Sequence, residues 1–211
     1  TAPVLPLDFE SLTTNYAFID FDGGAATVVA NPQPTGINTS SKVGKMVKNA
    51  GQVWGGSLIQ LDGPIDFSVN KTFKMKVWSP RVGAKVLLKV ENATNASLFY
   101  EKEVLTTVAN TWEELTFDYT AINTANQYQK VVLIFDNGTM GDGSSNFTFY
   151  FDDIRLTTSS VVLTNPVLPL DFESSTINYA FTDFDGGAAT VVANPQPTGI
   201  NTSSKVGKMV K

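Results

Sequence analysis

One internal repeat constrains this chain more than any other feature of its sequence. Residues 1–48 return as residues 164–211 at an offset of 163, and 44 of the 48 aligned positions are identical. The four differences are Ala2/Asn165, Leu12/Ser175, Thr14/Ile177 and Ile19/Thr182. Likeness at this level is not compositional, and it divides the chain into a complete unit, 1–163, and the first part of a near-identical second unit, 164–211. A period of 163 residues has the size of a domain, not of a solenoid turn. A 48-residue piece is too small to bury a core alone. The second copy is therefore expected to be held by a neighbouring copy, either by giving strands to another chain or as a slice of a longer periodic assembly. Residues 49–211 also hold one full complement of segments in permuted order, which makes strand exchange conceivable.

The chain contains no cysteine and no histidine. Disulfides, thiolate metal sites and cysteine nucleophiles are excluded, and with them the Ser-His-Asp arrangement and the usual zinc sites. A net charge of −5 argues against a phosphate-tracking surface, so nucleic acid is not an expected partner. No apolar run approaches the roughly 20 residues of a membrane-spanning helix, and no membrane insertion is expected in this segment.

Between turn clusters such as Asp22-Gly23-Gly24, Asp62-Gly63-Pro64 and Asn137-Gly138, the hydrophobic period is two. Phe73, Met75 and Val77 alternate with Lys74 and Lys76. Val86, Leu88 and Val90 alternate with Lys85 and Lys89, Leu115, Phe117 and Tyr119 with Thr116 and Asp118, and Phe147, Phe149 and Phe151 with Thr148 and Tyr150. Continuous runs at Leu58–Leu61 and Val131–Phe135 read as central strands covered on both faces. About ten short strands and no helical stripe predict an all-β, antiparallel two-sheet β-sandwich closed as a jelly roll, in tandem repeats. The connection Thr157–Pro166 is short and β-branched, so adjoining units are expected to be stiffly coupled.

Leu7-Asp8-Phe9-Glu10 near the start of the unit and Phe151-Asp152-Asp153-Ile154-Arg155-Leu156 near its end resemble a pattern found in the jelly-roll carbohydrate-binding modules of bacterial extracellular glycanases and glycan-binding surface proteins. There a first-strand "FE" meets a last-strand "DD[VI]xL", often around structural calcium. The resemblance covers most of residues 5 to 157, including the segment Trp112–Tyr119, and is a pattern of fold more than a diagnostic signature. It implies Ca²⁺ bound first by Glu10 and Asp152, with Asp8 and Asp153 behind them. The other reading of these carboxylates is as solvated strand ends or as partners of Lys42 and Arg155. Calcium takes six to eight hard oxygen ligands, which strand-end carboxylates and carbonyls can supply.

Sugar recognition needs an aromatic face for the C–H side of the ring and polar groups for its hydroxyls. Trp54, beside Gln52 in a Gly-rich turn, is the first candidate platform. Trp78, on the polar face of its strand, is the second, with Arg81 as a possible hydroxyl donor. Trp112 begins a strand and matches a position that is structural in the modules this chain resembles, which implies an anchor at the core edge. Tyr100, Tyr128 and Asn137 are further candidates for the same concave sheet. Only scattered carboxylates are available for catalysis and nothing marks a pair, so the chain is expected not to be an enzyme. The resemblance together with tandem repetition implies a large extracellular, secreted or cell-surface adhesin of the Bacteroidetes type contacting polysaccharide or cell-surface glycan. A structural repeat of a filament or stalk, without a sugar site, is the alternative.

Overall fold

The computed structural model describes residues 1–158, 168–174, 177 and 179–211. They belong to two compact units, Thr1–Ser159 and Ser160–Lys211. Most of the connection Thr157–Pro166, expected to be stiff, lies outside the described residues.

The first unit is the predicted antiparallel two-sheet sandwich. Its strands are β1 (Phe18–Phe21), β2 (Gly24–Ala30), β3 (Lys42–Lys48), β4 (Gly56–Gln60), β5 (Thr72–Trp78), β6 (Lys85–Glu91), β7 (Phe99–Leu105), β8 (Trp112–Asp118), β9 (Lys130–Phe135) and β10 (Thr148–Thr157). One sheet has the order β1-β4-β9-β6-β7 and the other β2-β3-β10-β5-β8. The chain changes sheet at every step except β2 to β3 and β6 to β7. Consecutive strands therefore lie in opposite sheets more often than they pair. The only helical element among the described residues of this unit is a single 3₁₀ turn, Ser145–Phe147.

The period-two pattern maps onto the two layers as expected. Phe73, Met75 and Val77 of β5, Leu115 and Phe117 of β8, and Phe149 and Phe151 of β10 point inward from one sheet. Val86, Leu88 and Val90 of β6 and Val131, Leu133 and Phe135 of β9 meet them from the other. The continuous run in β9 has a topological cause: β9 is the central strand of its sheet, and its outward residues Val132 and Ile134 are also buried. Phe147 departs from the expected alternation, because it ends the 3₁₀ turn and lies under the Arg81 guanidinium, not in the core. Tyr100 and Tyr128 depart from their expected place on a concave surface. Tyr128 is a core residue, and Tyr100 packs edge-to-face on buried Tyr119.

One irregularity decides where the acidic pair near the end of β10 points. The β5–β10 register is Asp152 opposite Lys76 but Arg155 opposite Lys74, so β10 carries one extra residue, with Asp153 at φ 50°. Strict alternation would place Asp153 on the face of Phe149 and Phe151. The bulge instead turns Ile154 into the core, where its backbone pairs with that of Leu7.

The second unit contains an antiparallel hairpin of β11 (Ala188–Ala193) and β12 (Lys205–Val210), the counterparts of the 25–30 and 42–47 parts of β2 and β3.

Candidate functional site

The outer face of the sheet β2-β3-β10-β5-β8 carries a registered row across all five strands. Thr27 pairs with Lys45, Lys45 with Tyr150, Tyr150 with Trp78, and Trp78 with Trp112. All five side chains lie on the face opposite the core because their strand neighbours Val28, Met46, Phe149, Val77 and Leu115 set the alternation. Trp78 meets Tyr150 edge-to-face, with ring centroids 5.6 Å apart. Both rings, and Lys45 beside them, are half-buried.

The adjoining part of this face is covered by the loop 31–41. Trp112 is 6% exposed, and its indole N–H donates to the Gln33 carbonyl at 2.7 Å, which makes it the structural anchor expected of it. Glu10 ties down the end of this loop, and Asp152 is buried close to it. The Glu10 carboxylate accepts from the Ser41 hydroxyl and, at 2.8 Å, from the Lys42 backbone N–H. These donors, the hydroxyl first, hold its pKa below the ordinary value. Asp152 is fully buried near Asn38 and Ser40. Burial raises its pKa, while the Ser40 hydroxyl, the Asp153 N–H and Asn38 oppose the rise. Asp152 Oδ1 accepts the Asp153 N–H at 2.7 Å, but neither Asp152 Oδ2 nor Asn38 Nδ2 has a partner in hydrogen-bonding geometry.

The other two expected metal ligands are engaged elsewhere. Asp153 pairs with Lys76 at 3.2 Å and with Arg155 at 2.5 Å, and Asp8 accepts the Tyr16 hydroxyl at 3.3 Å and the Glu10 N–H. Among the described residues no three acidic side chains converge on a point that could hold a metal ion. Asp152 is thus the one member of the expected set with a buried oxygen left over for a hard cation. The loop Gly141–Ser144 is an ordinary turn in which Asp142 accepts the Ser144 N–H.

Trp54 is half-exposed, at 50%, in the β3–β4 loop, as its Gly-flanked setting predicts. Its indole N–H donates to Asp22 Oδ2 at 3.0 Å, and the Gln52 backbone N–H donates to the Asp22 carbonyl, so the β1–β2 turn fixes the loop. Lys48 anchors the loop from below: its Nζ donates to the carbonyls of Val53 at 2.7 Å, Phe135 at 3.0 Å and Asp136 at 2.8 Å. Arg81 has a role inside the fold. Its guanidinium pairs with Asp136, donates to the Asn146 carbonyl and lies 4.7 Å over the Phe147 ring. Arg81 thus positions the loop around Asp136, with two of its guanidinium donors engaged inside the fold. Asn137 donates to Glu103, on the β7 edge.

Sequence reasoning missed Tyr150 and Lys45 as site residues. The signal was present for Tyr150, because the alternation of Phe149 and Phe151 already sets it on the polar face. That it stands beside Trp78 is a matter of register, which alternation does not specify. The outer face also holds the ion pairs Lys74–Glu114 at 2.8 Å and Arg155–Glu114. Burial pushes the Glu114 pKa up, but the bonds from Lys74 and Arg155 outweigh it and leave the carboxyl below its ordinary value. A general acid needs the opposite shift.

No family model and no curated protein matches the chain. Among solved structures, the fold is similar to a family 11 carbohydrate-binding module from Clostridium thermocellum in complex with a β-1,3-1,4-mixed-linked tetrasaccharide. The TM-score is 0.52 at 10% identity, covering 72% of this chain and 92% of that one. It is also similar to part of an exo-β-agarase, with a TM-score of 0.53 at 15% identity, covering 72% of this chain and 24% of that one. A further match is to carbohydrate-binding modules of the β-sandwich superfamily, with a TM-score of 0.49 at 16% identity, over 72% of this chain and 60% of that one. The first unit thus has the β-sandwich fold seen in carbohydrate-binding modules.

Proposed function

We propose that the first unit binds polysaccharide or cell-surface glycan without catalysis, on the outer face of the sheet β2-β3-β10-β5-β8. The observation that carries this reading is the row Lys45–Tyr150–Trp78: two adjoining rings set edge-to-face on the outer face of the sheet, each half-buried, with a cation beside them. Such rings take the C–H face of a pyranose while neighbouring charges bond its hydroxyls. Trp54 with Gln52 forms a second platform on the β3–β4 loop. The ion-paired state of Glu114 and Asp153 supports a non-catalytic role. The fold shared with the modules described above supports the same reading, as does the repeat, since linked copies raise avidity through effective concentration. In this reading the protein acts outside the cell, as a repeat-bearing secreted or surface adhesin of the Bacteroidetes type, for which the tandem repetition is the support.

The test is affinity electrophoresis and pull-down of the full chain on a panel of mixed-linked glucan, agarose, xylan and galactan. Trp78→Ala and Tyr150→Ala are each expected to weaken retention by about tenfold or more, the scale of losing a central aromatic anchor. Trp54→Ala discriminates the two platforms. Retention unchanged in Trp78→Ala and Tyr150→Ala but lost in Trp54→Ala would move the site to the loop. A folded chain that binds none of the polysaccharides would favour the structural filament reading, to which the 44 identities in 48 positions also lend weight.

We also propose that Asp152 is the anchor of a structural calcium, with carbonyl and side-chain oxygens of the 38–42 loop as the candidate further ligands. Glu10, bonded to Ser41 and the Lys42 N–H, is the next candidate, with Asp8 and Asp153 behind it. The support is chemical: a fully buried carboxylate oxygen without a donor is costly, and a hard cation would satisfy it. Calcium is expected to raise the thermal midpoint of the wild type by several degrees, reversibly by chelator, and to leave Asp152→Asn unmoved. A wild-type midpoint indifferent to both calcium and chelator would remove the metal from the proposal.

A further inference from the structure

The two sheets of the first unit end in four edge strands, and three of them carry the charges that keep an open edge from pairing. β7 has Glu101, Lys102 and Glu103, β8 has Glu113, Glu114 and Asp118, and β1 is only four residues long and contains Asp20. β2 has none of these devices. Its sequence, Gly24-Ala25-Ala26-Thr27-Val28-Val29-Ala30, holds no charge and no proline, and its pairing with β3 runs without a bulge.

The ladder to β3 fixes which backbone groups of β2 stay open. The Asn31 N–H donates to the Ser41 carbonyl at 2.9 Å and the Asn49 N–H to that of Gly23 at 2.7 Å, so the odd-numbered residues of β2 bond β3. The even-numbered residues turn their N–H and C=O groups to the free side. There the Asp20 carboxylate accepts the Ala26 N–H at 2.9 Å, and the Thr27 hydroxyl reaches the Val28 carbonyl at 3.5 Å. Among the described residues nothing bonds the N–H of Val28 or either backbone group of Ala30. Beside this edge lies a hollow of about 790 Å³, with Leu12, Tyr16, Phe18, Ala26 and Val28 in its walls. The same hollow, about 710 Å³ with Tyr179, Phe181, Ala189 and Val191, lies beside β11, although the whole first unit precedes that copy in the chain.

We infer that β2 is a docking edge for a second copy of this chain, the two β2 strands pairing antiparallel about a two-fold axis at Val29. The open groups select this register. Val28 of each chain lies opposite Ala30 of the other and each such pair exchanges two N–H···O bonds, four in all, while the Ala26 N–H keeps its carboxylate. Val29 then meets its own copy in the closer, non-hydrogen-bonded position on the outer side, and Val28 and Ala30 turn inward beside the other chain's hollow. A row of alternating backbone donors and acceptors is matched by another strand, not by a sugar. A two-fold contact needs a self-complementary patch, which small uncharged residues placed evenly about Val29 supply. Thr27 belongs to the registered row of the outer face, so the pairing also sets two such rows end to end on one continuous sheet. That consequence rests on the glycan reading above; the pairing itself does not.

The experiment uses the full chain with Val192→Lys throughout, which charges the matching edge of β11 and leaves β2 as the bare one. Sedimentation equilibrium without glycan is expected to give the mass of two chains. Val29→Lys puts two ammonium groups at the axis and is expected to weaken association by about a hundredfold or more, with the far-UV circular dichroism unchanged. Should that variant fail to fold, Ala30→Pro removes one donor from each strand where the single chain leaves it unpaired, and is expected to weaken association by about tenfold. The register is read by cross-linking. The chain has no native cysteine, so Val29→Cys is expected to give a disulfide-linked dimer under mild oxidation, and faster than Thr116→Cys on the charged β8 edge. A chain that stays monomeric at about 100 µM, a dimer indifferent to both edge substitutions, or Val29→Cys linking no faster than Thr116→Cys would overturn the inference. No sugar is present in these measurements, so their outcome is separate from the fate of the glycan reading.

Discussion

Phe151→Ala is expected to lower the free energy of unfolding of the first unit by about 3–5 kcal/mol, the range for deleting a fully enclosed aromatic ring. The Phe151 side chain is fully buried and touches rings from both ends of the sequence: Phe9 at 5.6 Å and Phe18 at 5.9 Å, both edge-on, and Phe135 at 5.5 Å, tilted. It therefore ties the N-terminal segment to the 49–158 body, and losing it empties the seam between them. Its neighbour Gly44 shows how closely β3 packs on the ring. A Cβ at Gly44 would stand 2.4 Å from the Phe151 ring, so the ring already fills the place of that side chain. Gly44→Ala is expected to destabilise by overpacking, about 1–3 kcal/mol or more. Combining it with Phe151→Leu should cost less than the sum, because the smaller side chain vacates the space the methyl takes. Urea melts of the four proteins check this, and strict additivity would show that the two residues are not competing for one volume.

The sandwich was legible because each strand keeps the period of two that a half-buried strand requires. Trp78 on its polar face and Trp54 in a Gly-bounded loop follow from local pattern alone, whereas Trp112 as an anchor follows from the family resemblance. Three features were not legible, each for a physical reason. The β10 bulge places one extra residue between Asp152 and Arg155, and alternation carries no record of an insertion. The Tyr150–Trp78 pair depends on register between strands some seventy residues apart, fixed by which inward faces interlock. Lys48 shares the face of Met46, yet its charge argues for solvent. Only the carbonyls of Val53, Phe135 and Asp136, two of them distant in sequence, make its burial tolerable. Carboxylate positions read by resemblance fared accordingly: Glu10 and Asp152 meet one loop, while Asp153 is drawn into ion pairs by the bulge.

Lys48→Met is expected to destabilise the first unit by about 2–4 kcal/mol at pH 7 and to widen that gap as the pH rises from 8 to 10. The Lys48 residue is 1% exposed, and burial pulls its pKa from 10.5 down to about 8; the Asp136 charge opposes the fall and the Arg81 charge adds to it. Below pH 8 the ammonium is charged in both the folded and the unfolded chain, so its desolvation cost is fully present and does not vary with pH. Between about 8 and 10.5 the unfolded chain binds the proton that the folded one has released. Stability therefore gains with rising pH through this window, and the gain ends above it. Methionine cannot titrate and cannot donate to the three carbonyls, so the variant loses both the bonds and the slope. Subtracting the variant's stability from the wild type's at each pH cancels the tyrosines and every other group common to both. A difference that is flat or narrows from pH 8 to 10 would show that the amine stays charged in the fold. Because one of the three carbonyls belongs to Val53, the substitution should also free the loop that presents Trp54, seen as a change in indole fluorescence at pH 7. That readout separates loop anchoring from core stability, since Trp78 and Trp112 are held by the sheet and by the Gln33 carbonyl, away from Lys48.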